Sequence, residues 1–192
     1  SLVDAQAWRW LGSSRRARAL TVFLLVASVP VTMLFGALPF LLASRTAAGL
    51  PAWIRPTDVL FLTHYKALES ITAALLLLAW VRWAGASRRK PVAVRAAFAG
   101  YVASMTALVV AESALASALA AIALAASFSP LLVWVRTERA ALVPGHNRQR
   151  IAGLLVAIDA TAEVLGALAV RYAGFEPAAL AAIAVAASAL FA

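Results

Sequence analysis

The sequence predicts an all-α, polytopic helical membrane protein of about six transmembrane helices, the last one truncated. Three observations carry that prediction. The chain of 192 residues is 64% hydrophobic and 13% charged, with a mean hydropathy of +0.90, whereas soluble domains run at about 45–50% apolar and about 25% charged. Its apolar runs approach the ~20 residues that a helix needs to cross a ~30 Å hydrocarbon core. Its 17 lysines and arginines gather in clusters between those runs. That is the pattern of membrane-flanking loops, so the net charge of +9 does not point to nucleic acid. With no cysteine in the chain, disulfides, thiolate metal sites and a cysteine nucleophile are excluded.

Residues 1–18 read as a cytoplasmic basic tail or linker. Trp8 and Trp10 flank Arg9, with Arg15, Arg16 and Arg18 following, which places the indole rings at headgroup level. The first span, 19–44, carries no charge and is too long for the ~7–15-residue core of a signal peptide. Pro30, Gly36 and Pro39 interrupt it, as residues at kinks do when neighbouring helices satisfy the freed carbonyls. A loop follows over 45–58, with Gly49, Pro51, Pro56 and an interfacial Trp53.

The second span is short of apolar residues. Its charge-free run, 70–81, makes roughly 18 Å of helix, so the helix has to begin near Leu62 and draws His64, Lys66 and Glu69 into the outer half of the membrane. Lys66 and Glu69 are spaced i, i+3 and can neutralise each other. Two readings stay open: Lys66 snorkels to the outer headgroups, or the pair belongs to a polar site facing the bundle interior.

Arg82, Arg88, Arg89, Lys90 and Arg95 form a second basic cluster around Gly85 and Pro91. From 92 to 135 only Arg95 and Glu112 are charged. The run is about 66 Å of helix, enough for two spans joined by a tight outer turn at Glu112-Ser113. The fourth span then covers 114–134, and Arg136, Arg139, Arg148 and Arg150 with Glu138 make the third basic cluster. The fifth span is 151–169. The last run, 178–192, covers only about 22 Å, so the chain is expected to stop inside a helix, and 19–192 reads as one six-helix bundle. With the N-terminus inside, the inner segments hold 13 of the 17 basic residues and the outer ones only Arg45, Arg55, Lys66 and Arg171. This bias places both ends in the cytoplasm of a bacterial-type plasma membrane.

The stretch 142–174 organises the rest. A basic turn feeds an apolar run that contains Asp159 and Glu163, spaced i, i+4 on one helix face. A charge at the bilayer centre costs at least ~2.5–3.5 kcal/mol, so such residues normally face a protein interior or a wet cavity. Counted from Ile151, Asp159 lies about 12 Å and Glu163 about 18 Å along the helix, near mid-membrane. Either one is a candidate for carrying a coupling proton or contacting a cationic substrate; the alternative is a structural hydrogen bond to a neighbouring helix. Gly153 and Gly166, with Ala157 and Ala162, offer small faces for close helix contact. Two histidines far apart in the chain, His64 and His146, do not suggest a zinc or haem site, and no phosphate-binding or dinucleotide motif is present. No cofactor or metal is expected.

Val143-Pro144, the Arg148 and Arg150 pair, Ala152-Gly153-Leu154-Leu155, Leu165-Gly166-Ala167-Leu168 and Gly174 together resemble the inner-loop-to-helix passage of major facilitator superfamily transporters. Phe128-Ser129-Pro130 is similar to the close of the preceding helix in that family. Gly85-Ala86-Ser87-Arg88-Arg89-Lys90-Pro91-Val92 resembles a degraded form of the family's basic loop, which makes Gly85, Arg88, Arg89, Lys90, Arg148 and Arg150 its inner-loop candidates. The acidic residue expected near its start is missing, with Arg82 or Trp83 in that neighbourhood, and no Gly-Pro pair follows Glu163. The resemblance implies one six-helix half of a transporter, the C-terminal half in view of the basic linker. It further implies alternating access, a small-molecule substrate, and the other six-helix half as partner within the lipid bilayer.

Two other classes fit the residues. One is a small membrane enzyme of the sterol-isomerase or terpene-cyclase type, with His64, Glu69, Asp159 and Glu163 moving a proton on a lipid in a closed pocket. The other is a membrane assembly or sensor subunit whose carboxylates are buried against another chain.

Overall fold

Local sequence decides where the helices start and stop. In a computed structural model that describes residues 5–84, 90–145 and 148–173, the chain forms α1 (Ala5–Ser13), α2 (Arg15–Ser44), α3 (Val59–Ala84), α4 (Lys90–Val110), α5 (Ala114–Leu142) and α6 (Arg148–Ala173). The fold is all-α: among the described residues the one extended pairing is an isolated bridge between Thr46 and Ser113. Gly85, Arg88, Arg89, His146, Gly174 and the expected sixth span at 178–192 lie outside the described residues.

The helices outrun the apolar stretches that announce them. Residues 5–13, read from sequence as part of a tail, are helical because Ala7 and Leu11, one turn apart, bury against Ile151, Leu154 and Leu155 of α6. Ser14 then caps α2, its side chain accepting from the Ala17 amide at 3.3 Å. At its far end α5 runs eight residues beyond Trp134, so Arg136, Glu138 and Arg139 stand on a helix and not in a loop. The turn expected at Glu112-Ser113 is present without Gly or Pro. Ser113 caps α5 through the Ala116 amide at 3.2 Å. The Thr46 carbonyl accepts from the Ala114 amide at 2.9 Å, and the Thr46 amide donates to the Glu112 carbonyl at 3.3 Å. A tertiary clasp replaces the missing turn residues.

The core lies where α2, α4 and α5 meet, around Leu24, Leu34, Tyr101, Leu108, Leu124 and Leu131. The buried Tyr101 hydroxyl donates to the Ala27 carbonyl at 3.1 Å. That bond falls beside the Val26 carbonyl, which Pro30 cannot bond, so α4 steadies α2 at one of its two proline gaps. Phe23, Phe98, Tyr101 and Phe128 continue the contact as a chain of rings with centroids 6.0–6.2 Å apart. α2 packs chiefly on α5 and α6, whereas α3 and α4 pack chiefly on α5 and little on each other. The α2–α6 crossing is close because Gly166 faces Thr32, whose hydroxyl lies 3.5 Å from the Ala162 carbonyl. Among the described residues four helices, α2 to α5, contain stretches long and apolar enough to cross a membrane.

Candidate functional site

The site grows from α6, where Asp159 and Glu163 share a face. Opposite them, α5 presents Arg136 and Arg139, also on one face at i, i+3. Arg139 Nη2 lies 2.8 Å from both Asp159 oxygens, and Arg136 Nε lies 3.2 Å from Oδ2. The Arg139 side chain is 2% exposed and that of Asp159 15%. A guanidinium so buried is tolerated only when paired, and among the described residues Asp159 is the carboxylate that pairs with it. The Asp159 carboxylate therefore sits level with the basic C-terminal end of α5.

Glu163, one turn further, is exposed and makes no hydrogen bond or ion pair with any described residue. It lines a cleft of about 560 Å³ between α2, α3, α5 and α6. Ser28, Thr32, Phe128 and Ser129 line the same cleft, as do Asp159 and Glu69. Glu69 is 4% exposed, and it accepts from Lys66 Nζ at 2.7 Å, with the lysine itself mostly exposed. Among the described side chains of α3, Tyr65 and Glu69 are the two buried ones, one turn apart, which is why that face turns inward.

No protein-family model, curated protein or solved structure matches the chain.

The other expected residues fall elsewhere. His64 is exposed, its Nδ1 2.7 Å from the Leu60 carbonyl of its own helix, and it does not line the cleft. Lys66 lines a groove along α3 and meets the site through Glu69. Lys90 opens α4 and donates to Glu138 at 2.5 Å, while Arg16 of α2 donates to the other oxygen at 2.8 Å. Glu138 lies beyond the apolar part of α5. The Lys90 hydrogen bond leads in holding its carboxyl below the usual range, assisted by the Lys90 and Arg16 charges and opposed by partial burial. Arg148 lines a second cavity between the C-terminal end of α5 and α6, together with Arg136, Arg139, Asp159 and Glu163, and Arg150 is exposed.

Sequence reading grouped Arg136, Glu138 and Arg139 as a loop cluster and missed their separate partners. A signal was available: Leu131, Val135 and Arg139 are spaced i, i+4, i+8 and all are buried, so the buried stripe of α5 runs straight into an arginine. Among the described residues no group of three or more His, Asp or Glu is placed to hold a metal. What the arrangement offers is a polar cleft, with Arg136 also on its wall, that holds one clamped carboxylate, one paired with a lysine and one in no ion pair among the described residues.

Proposed function

We propose that the chain is one six-helix half of a secondary active transporter of the major facilitator type, moving a small molecule across a plasma membrane with both ends in the cytoplasm. One observation carries the reading. Glu69 of α3 and Asp159 and Glu163 of α6, remote in sequence, line a single cleft. Carboxylates gathered in an apolar bundle mark ion or substrate pathways. Glu163 is the residue that takes up a proton or meets a cationic substrate, because Asp159 is already held by two guanidinia.

The membrane setting has its own support. Leu68, Ile71, Leu75 and Leu78 of α3 are all more than half exposed, a face that hydrocarbon would solvate and water would not. Counting α6 as a fifth span, α2–α4 pack on α5–α6 more than the helices of either group pack on each other, an interlocked bundle into which a further helix could fit. The lipid-enzyme alternative is weakened because His64 stands outside the cleft.

The test is substrate uptake in vesicles from cells expressing the parent reading frame, driven by a pH gradient, with Glu163→Gln, Glu69→Gln and Asp159→Asn compared. Glu163→Gln should abolish the pH dependence. Unchanged pH-driven uptake in all three variants would refute the coupling role.

A further inference from the structure

We infer that the cleft between α2, α3, α5 and α6 takes a hydrophobic organic cation, a protonated amine on an apolar body, with Glu163 as the anion that meets it. The residues that line the cleft carry three carboxylates, Glu69, Asp159 and Glu163, against one cation, Arg136. From outside the cleft Lys66 reaches Glu69 and Arg139 reaches Asp159, and Arg136 commits its Nε to Asp159 as well. Glu163 is the carboxylate left in no ion pair among the described residues. Thr32 of α2 stands at the same level of the cleft, its hydroxyl 3.5 Å from the carbonyl of Ala162, next to Glu163 in the chain.

Unused hydrogen-bonding capacity decides the charge of the ligand. A hydroxyl has one proton to give. That of Thr32 goes to the Val29 and Ser28 carbonyls at 2.9 and 3.1 Å, and that of Ser129 to the Ala125 carbonyl at 2.8 Å. Both side chains line the cleft, and both have only lone pairs left to offer a ligand. Ser28 and Ser70 line it too and can turn to accept, since a hydroxyl rotates to suit. Together with Glu163 these groups suit the donors of an ammonium, whereas a carboxylate or phosphate would face lone pairs. Leu24, Val31, Phe128 and Leu132 supply an apolar wall in the same space of about 560 Å³, the size of a site for a small organic molecule. A hydrated inorganic cation would make no use of that wall. This inference rests on the reading of the cleft as a substrate site and adds the class of substrate.

The full chain, purified in a neutral detergent, is dialysed to equilibrium against tritiated phenylbutylamine, phenylbutanol or phenylbutyrate, which share one body and differ in charge. The amine should bind saturably and roughly tenfold tighter than the alcohol or the carboxylate. Glu163→Gln should weaken the amine roughly tenfold and bring it level with the alcohol. Glu112→Gln, in the turn between α4 and α5, should leave it unchanged. Absence of saturable amine binding would overturn the inference, as would equal binding of amine and alcohol, tighter binding of the carboxylate, wild-type affinity in Glu163→Gln, or the same weakening in Glu112→Gln. The measurement needs no pH gradient, so the two readings fail separately. Uptake indifferent to pH with amine binding intact removes the coupling role alone, and pH-driven uptake with no amine binding removes the substrate class alone.

Discussion

Replacing Asp159 with Asn removes the charge that compensates Arg139. Because the Arg139 side chain is 2% exposed and both Asp159 oxygens lie 2.8 Å from its Nη2, the arginine cannot recover its hydration without local unfolding. Breaking a buried pair from one side costs about 3–5 kcal/mol, and the Asn carbonyl retains one acceptor, which favours the low end. Arg136, with a side chain 54% exposed, adds only about 0–1 kcal/mol to the same carboxylate. The double replacement Asp159→Leu with Arg139→Leu removes both charges and should restore most of the loss, since hydrophobic substitutes for buried pairs are often neutral or better. The assay is a double-mutant cycle on unfolding in mixed detergent micelles, followed by far-ultraviolet circular dichroism. A loss below about 0.5 kcal/mol for Asp159→Asn, the range of ordinary surface changes, would refute the reasoning. Strict additivity of the Asp159→Leu and Arg139→Leu costs would do the same.

Two further outcomes follow from particular contacts. A Cβ on Gly166 would stand 2.7 Å from Thr32 Cβ and 3.1 Å from the Val29 carbonyl, so Gly166→Ala should destabilise the α2–α6 crossing by about 1–3 kcal/mol. Gly153→Ala, with nothing within 4 Å of the new atom, should instead stabilise slightly through helix propensity, and unfolding midpoints shifted in the same direction by both would contradict the packing. The Glu138 carboxyl is held below its ordinary range by Lys90, so the stability it contributes is complete above that range and is lost as pH falls through the lowered value. Comparing wild type with Glu138→Gln from neutral pH downward, the stability gap should close in acid; a gap independent of pH would exclude the ion pair as its source.

Helix identity was legible because it is written in near neighbours. Runs free of charge marked the helices, and the Glu112-Ser113 turn followed from the length of the run it divides. The Lys66–Glu69 pair was readable for the same reason, both residues lying on one turn of one helix. The helix at 5–13 was not legible, since nine residues with a two-residue apolar face form a helix only when another surface accepts that face.

Composition and spacing specify a mostly apolar, all-helical chain with basic clusters at one set of helix ends and two carboxylates one turn apart on α6. Tertiary structure alone decided what those carboxylates face. Arg139 meets Asp159 across 20 residues of chain, Lys90 meets Glu138 across 48, and Arg16 meets Glu138 across 122. Composition fixes how much charge must be accommodated. Which opposite charge accommodates it depends on how the helices cross; the small face at Gly166 was readable as a contact surface, but its partner Thr32 on α2 and the ring contacts around Tyr101 were not.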